Sequence, residues 1–209
     1  MPCAPQTYCY DTARPAIDLI AETLREQPPR RNGLAAAASV LQRQPKLQTR
    51  RAEKMAETIE LLRSEGLDAA KLVAANPGLL SRSIASLKGQ LRFLRNCMGV
   101  SNAQLNTAWG MLLLAPPKRL RERFFYARFC AADFLQRYSA TTMAGPPDAD
   151  FVARAHGCPS KKGKTSGALP ELVQQFRQVL ASPEFEAFCA AEEAKLTAEA
   201  AQRTQQSRM

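Results

Sequence analysis

The sequence has little of the material from which catalytic and metal sites are built. It contains a single histidine, and its six cysteines are scattered with no Cys-x-x-Cys pair. Zinc sites and disulfide frameworks need such residues in paired spacing, so we predict no metal and mostly reduced thiols. Nothing nearby in the sequence would orient His156 for acid–base or nucleophilic chemistry. We therefore predict no catalytic residue, no cofactor, no small-molecule substrate and no enzymatic activity.

Long apolar runs are also missing. The longest, Met111 to Ala115, is far shorter than the roughly 20 residues needed to span a bilayer, so no membrane partner is predicted. The segment GCPSKKGKT (Gly157 to Thr165) looks like a phosphate-binding loop. It has one residue too many between its glycines, and no strand precedes it, so we reject it as a nucleotide site. As a mobile basic loop that touches phosphate it stays a candidate.

Acidic residues are scarce where basic ones are dense. The chain carries 29 Lys and Arg against 19 Asp and Glu, a formal charge of +10. Residues 82–137 hold ten basic residues and only two acidic ones, Glu122 and Asp133, which is most of the excess in about a quarter of the length. Such a surface attracts polyanions. The first thirty residues are by contrast mixed in charge and show no clean transit peptide.

What the sequence does have is a repeat. A glycine followed by an aliphatic residue recurs every 33 residues, at Gly33-Leu34, Gly66-Leu67 and Gly99-Val100. Leucines follow in register, including Leu87 and Leu120. Each repeat is predicted to hold a helix, a short apolar turn at a proline or glycine, and a longer helix that ends at the next glycine. Ala and Leu dominate and β-branched residues are sparse, which also favours helices. Periods of this length are typical of helical solenoids.

The flanks of the repeats are predicted to be helical as well. We expect one helix over residues 15–26, another over 129–138, and a short one at DADFVARA after the break at Gly145. Two closing helices are expected at 168–181 and 182–202, the last with Ser182 as N-cap and Pro183 at its first position. The predicted divisions are an N-terminal extension or partial repeat (1–30), helical repeats (31–156), a flexible basic loop (157–167) and C-terminal helices (168–209).

The basic residues follow the repeat. Arg63, Arg95 and Arg128 occupy the same place in three successive repeats, and a basic residue at a fixed place forms a stripe that can follow a phosphate backbone. The predicted nucleic-acid-binding residues are Arg50, Arg63, Arg82, Lys88, Arg92, Arg95, Lys118, Arg119, Arg121, Arg123 and Arg128. The alternative is that these are ordinary solvated charges. Four aromatic residues, Trp109, Phe124, Phe125 and Tyr126, are predicted to be core rather than base-stacking groups.

The stretch LLRSEGLDAAKLVAANPGLLSRSIASLKGQLRFLR resembles the repeat of the mitochondrial transcription termination factor (mTERF) family. It shares the Leu-x-x-x-Gly-Leu entry, the Pro-x-Leu-Leu turn and the closing Leu-x-x-x-Leu-x-Phe-Leu helix, and the match is best over residues 40–128. The resemblance implies an all-α superhelix of about three repeats with a basic concave face for DNA or RNA. It also implies a place in a mitochondrion or chloroplast. The third repeat departs from the pattern, with Gly110 in place of the proline.

Two functions are therefore expected from the sequence. The first is an organellar nucleic-acid-binding protein that regulates transcription, including termination, or RNA metabolism. The second is a structural or assembly component of an organellar ribosome, which would hold ribosomal RNA while its terminal helices bind ribosomal proteins. The Glu- and Ala-rich final helix motivates the second, because it has no evident role in binding nucleic acid.

Overall fold

The protein is helical wherever its structure is described. A computed structural model describes residues 8–26, 32–130, 133–137, 139–157 and 169–206, and within these ranges every regular element is a helix. The all-α prediction is thus confirmed for this part of the chain. Residues 27–31 and all of the predicted basic loop (157–167) except Gly157 lie outside the described residues.

The α-helices are α1 (Tyr8–Arg25), α2 (Gly33–Arg43), α3 (Ala52–Ser64), α4 (Ala69–Ala75), α5 (Ile84–Asn96), α6 (Asn102–Leu105), α7 (Pro117–Cys130), α8 (Phe134–Arg137), α9 (Ala140–Ala144), α10 (Asp148–Ala155), α11 (Leu169–Leu180) and α12 (Pro183–Gln206). Three short 3-10 helices separate some of them: η1 (Pro45–Thr49), η2 (Pro77–Ser81) and η3 (Ala108–Leu113). Helix α1 starts earlier than predicted and contains Pro15 in its interior.

The sequence repeat corresponds to a structural one. Each repeat consists of an α-helix, a 3-10 helix and a longer α-helix: α2–η1–α3, α4–η2–α5 and α6–η3–α7. Pro45 and Pro77 open their 3-10 helices, where a missing amide donor costs nothing. In the third repeat Gly110 takes the place of the proline. A Cβ at Gly110 would lie 2.5 Å from Leu72 Cδ2 and 2.9 Å from the Leu105 carbonyl oxygen, so η3 packs too closely for a side chain there.

The repeat glycines have two different roles. Gly66 and Gly99 adopt φ values of 72° and 65° just after α3 and α5, as predicted for glycines that end helices. Gly33 instead begins α2, after Asn32, whose side chain accepts a hydrogen bond from the Leu34 amide at 3.2 Å. A Cβ at Gly33 would lie 2.5 Å from the Ala21 carbonyl oxygen, so this glycine permits close packing of α2 on α1.

The first of two compact units comprises Met1–Gly89 and Asn102–Leu114. Its core is aliphatic and is formed by the predicted leucine positions together with residues of α3, namely Leu47, Met55, Ile59, Leu62, Leu72, Leu79 and Leu80, each at most 1% exposed. Long side chains join successive repeats through backbone groups. Arg43 Nη2 donates to the Ala74 carbonyl at 2.5 Å, and Asn102 Nδ2 donates to the Glu65 carbonyl at 2.8 Å.

The second compact unit comprises Gln90–Ser101 and Ala115–Met209. Its core is aromatic: Phe125, Tyr126, Phe134, Phe151 and Phe176 are each at most 2% exposed. Phe124, Phe125 and Tyr126 are therefore core residues, as predicted, while the side chain of Trp109 lies outside the described residues. The break near Gly145 and the short helix after it, α10, also match the prediction. Ser182 Oγ accepts from the Phe185 amide at 3.2 Å, which confirms the N-cap of α12.

Candidate nucleic-acid interface

One predicted interface residue is an internal structural group. Arg123 is 0% exposed, and its guanidinium donates to the carbonyls of Met143 and Pro146 at 2.7 and 2.8 Å and to Asp148 Oδ1 at 2.6 Å. A buried cation needs such partners to offset its lost hydration. Because Arg123 is inaccessible, its assignment to the interface was wrong. Its position three residues after buried Leu120 would have indicated this.

Arg50 also serves the fold. Its Nη1 donates to the Ser81 carbonyl at 2.9 Å and its Nη2 to the Arg82 carbonyl at 3.1 Å, so the side chain joins the end of η1 to the end of η2. Arg50 is half-buried and both terminal nitrogens are engaged. The prediction that it contacts phosphate is therefore not supported by this geometry. Arg82, its counterpart one repeat later, is half-buried too, but its Nε and Nη2 meet no acceptor among the described residues.

A second group of predicted cations is paired with carboxylates. Arg121 forms an ion pair with Glu193, and Arg128 with Glu192, so two glutamates of α12 lie against the basic helix α7. Arg63 of α3 pairs in the same way with Glu26. Lys118 lies 3.7 Å from Glu122 but is 88% exposed, so this pair leaves it accessible. The sequence offered no local signal for the α12 contacts, because their partners are 64 or more residues apart.

A third group stands open to solvent. Lys88, Arg92 and Arg119 are exposed and have no acidic partner within the described ranges. Lys88, Arg92 and Arg95 are spaced by four and three residues on α5, which places them on one face of that helix. Arg95 is half-buried and engages another residue. The sequence of α5 contains no acidic residue, so this basic face has no neutralising charge on its own helix.

The basic face of α5 is positioned by the residues that precede it. Leu87, Leu91 and Leu94 are each at most 1% exposed and form the buried face of the helix. Lys88, Arg92 and Arg95 each follow one of these leucines by one residue, a rotation of about 100° around the helix. The leucine stripe therefore fixes the direction in which the basic stripe points.

Burial favours the neutral forms of Tyr126 and of the Cys97 thiol, whose pKa values are raised. Burial, with Cys130 nearby, raises the pKa of Tyr126 to about 12, and its hydroxyl lies 2.8 Å from His156 Nε2. Burial also raises the pKa of the Cys97 thiol, although Arg121 and Arg128 oppose the shift. In the described part of the chain no three His, Cys, Asp or Glu side chains group as a metal site requires. Nor is any described helix both long and apolar enough to cross a bilayer.

No family model, curated protein or solved structure matches this chain.

Proposed function

We propose that this protein is an organellar nucleic-acid-binding protein of the mTERF type, which regulates transcription, including its termination, or RNA metabolism. The observation that carries the proposal is the basic face of α5, formed by Lys88, Arg92 and Arg95 on a helix without acidic residues. A formal charge of +10 gives the chain a long-range attraction for polyanions. The exposed face then supplies the short-range contacts.

Binding on this face would be directed mainly at the phosphate backbone. Lys88 and Arg92 present charged groups to solvent, and each phosphate they neutralise releases condensed counterions. Such contacts position a duplex or a single strand without reading its bases. Phe124, Phe125 and Tyr126 are buried and so do not stack on bases. The proposal therefore predicts strongly salt-dependent binding with little sequence preference from this face alone.

The organellar location and the superhelical arrangement belong to the same proposal. They rest on the resemblance of residues 40–128 to the mTERF repeat. The succession of α-helix, 3-10 helix and longer α-helix, with proline at the start of η1 and η2, supports that resemblance. The exposed cations of the proposed interface are then Lys88, Arg92, Lys118 and Arg119. Arg82 and Arg95 are half-buried, with Arg82 Nε and Nη2 buried and Arg95 engaging another residue, and Arg63, Arg121 and Arg128 are engaged by carboxylates.

The test is a charge-matched pair of double variants. Lys88→Ala with Arg92→Ala removes two exposed cations that have no acidic partner in the described part of the chain, whereas Arg14→Ala with Lys54→Ala removes two exposed cations that face Asp18 and Glu57. We expect the α5 variant to bind labelled duplex DNA or RNA about 5- to 30-fold more weakly at about 0.1 M salt. The slope of log K against log salt should become shallower by nearly 2. Equal affinities for both variants and the wild type would refute the proposed interface.

A ribosomal role is the second candidate, and one observation favours it. Helix α12 has 24 residues, of which only Phe185 and Leu196 are buried, so most of its length is available to a protein partner. Sedimentation of the native protein through a salt-containing gradient separates the candidates. Migration with a ribosomal subunit at moderate salt supports a structural component, and free or nucleoid-associated protein supports a regulator.

A further inference from the structure

Helix α12 places two consecutive carboxylates on two arginines of α7. Glu192 pairs with Arg128 and Glu193 with Arg121. The arginines are seven residues apart, which is about two helical turns, and so they lie on one face of α7. Consecutive residues of a helix point about 100° apart, which lets the two neighbouring glutamates diverge toward the two arginines. Both arginines are among the basic residues that recur at the same positions in successive repeats.

The remaining contacts that hold α12 are few. Phe185 and Phe188 pack on Phe129 of α7, with ring centroids 5.8 and 5.1 Å apart, and Phe129 is still 43% exposed. Beyond Phe188, Leu196 is the only buried residue of α12. Helix α11 is held more firmly, because its Phe176 is 2% exposed and packs on Tyr126 at 4.7 Å. The anchoring of α11 through Phe176 and Tyr126 is thus separate from the contacts between α12 and α7.

We propose that α12 acts as an intramolecular competitor of nucleic acid, in which Glu192 and Glu193 occupy the guanidinium groups of Arg128 and Arg121 that a phosphate backbone would otherwise bind. A guanidinium binds carboxylate and phosphate oxygens with the same forked geometry, so one guanidinium fork serves only one of them at a time. The inference rests on the proposed function and adds to it a regulation of two further cations, Arg121 and Arg128 of α7, which α12 covers.

The two ion pairs differ in exposure. Arg121 is 48% exposed and Glu193 29%, and such partly exposed pairs are weak and screened by salt, whereas Arg128 is 30% exposed and Glu192 14%. The Arg121–Glu193 pair is therefore the more readily displaced of the two. A polyanion presents many phosphates at once, whereas α12 presents two carboxylates. Binding of nucleic acid and docking of α12 then oppose each other reciprocally, as linkage requires. Release of α12 would raise affinity, and bound nucleic acid would release α12.

The experiment uses the full chain and a control on the same helix. Glu192→Gln with Glu193→Gln removes the two carboxylates that pair with α7. Glu184→Gln with Glu186→Gln makes the same change in net charge at two exposed positions that form no ion pair among the described residues. Binding is measured with a labelled 30-base-pair DNA and a labelled 30-nucleotide RNA of mixed sequence, at several salt concentrations. Amide hydrogen exchange over residues 183–206 is followed in the free and bound chains.

We expect the Glu192/Glu193 variant to bind about 5- to 10-fold more tightly than the control, with a steeper salt slope, and to exchange faster over 183–206. Nucleic acid should accelerate the same exchange in the wild type. If wild type binds and both variants have equal affinity, the competition is refuted and the proposed function stands. If no chain binds DNA or RNA even at low salt, the proposed function fails and the competition fails with it.

Discussion

Helices α5 and α7 close successive repeats and carry basic residues in matching register, yet their cations have different surroundings. Lys88 and Arg92 of α5 are exposed with no acidic partner among the described residues, whereas Arg121 and Arg128 of α7 are covered by glutamates of α12. Lys88 and Arg121 correspond, since they are one period of 33 residues apart, whereas Arg92 has Phe125 at its place in α7 and Arg128 corresponds to the half-buried Arg95. The difference is made by α12, which lies far from α7 in the sequence. The recurrence of basic residues therefore predicts where cations lie on each repeat, but it does not predict whether they are accessible.

The same register also places a buried polar group in both helices. Gln90 of α5 is 2% exposed, and Arg123, one period later, is 0% exposed. In α7 this position carries a charge, which the carbonyls of Met143 and Pro146 and the carboxylate of Asp148 surround. The third repeat thus uses an arginine to bind the segment between α9 and α10.

The largest effect we predict comes from breaking that arrangement. Arg123→Met should lower the free energy of unfolding by about 3–5 kcal/mol, because it leaves two carbonyls and a carboxylate without their cation. Urea denaturation followed by circular dichroism measures the change. The matched control is Arg119→Met, which removes an exposed arginine from the same helix and should change stability by no more than about 0.5 kcal/mol. Equal effects of the two substitutions would show that Arg123 is not the internal anchor described above.

Much of the fold can be predicted from local sequence, but the ion pairs between α7 and α12 cannot. The 33-residue register, the prolines and the leucine stripe predicted the three repeats and the helix-ending roles of Gly66 and Gly99, because these depend on backbone preference and periodicity. The ion pairs of Arg121 and Arg128 join residues 64 or more positions apart, and no local pattern encodes them. The prediction for Arg123 was wrong for a different reason. Its helical spacing places it on the buried face of α7, whereas its charge suggested an exposed position.

A second prediction compares glycines of successive repeats. Gly110→Ala should destabilise the protein by about 1–3 kcal/mol, because the added Cβ would lie 2.5 Å from Leu72 Cδ2 and 2.9 Å from the Leu105 carbonyl. Gly89→Ala, within α5, should instead stabilise it by about 0.5–1 kcal/mol, since a Cβ there has nothing within 4 Å and alanine favours the helix. Opposite shifts in the urea midpoint are the expected result. A loss of stability in both variants would mean that the packing around η3 is not what distinguishes them.

The third prediction is a pH dependence that comes from a tyrosine of α7 at a position where α5 has phenylalanine. Phe93 of α5 is replaced one period later by Tyr126, whose pKa is raised by burial to about 12 from an ordinary value near 10. The folded state therefore retains this proton at pH values where the unfolded state loses it. The contribution to stability is complete below about pH 10 and disappears as pH rises toward 12, a loss of about 1–2 kcal/mol. Urea unfolding of wild type and Tyr126→Phe at pH 9 and pH 11.5 isolates it, because the other titrating groups are common to both. Tyr126→Phe should be less stable than the wild type at pH 9, because it has lost the hydroxyl contact with His156. The difference between their free energies of unfolding should be smaller at pH 11.5. A difference that stays constant would mean that the Tyr126 hydroxyl titrates alike in the folded and unfolded states.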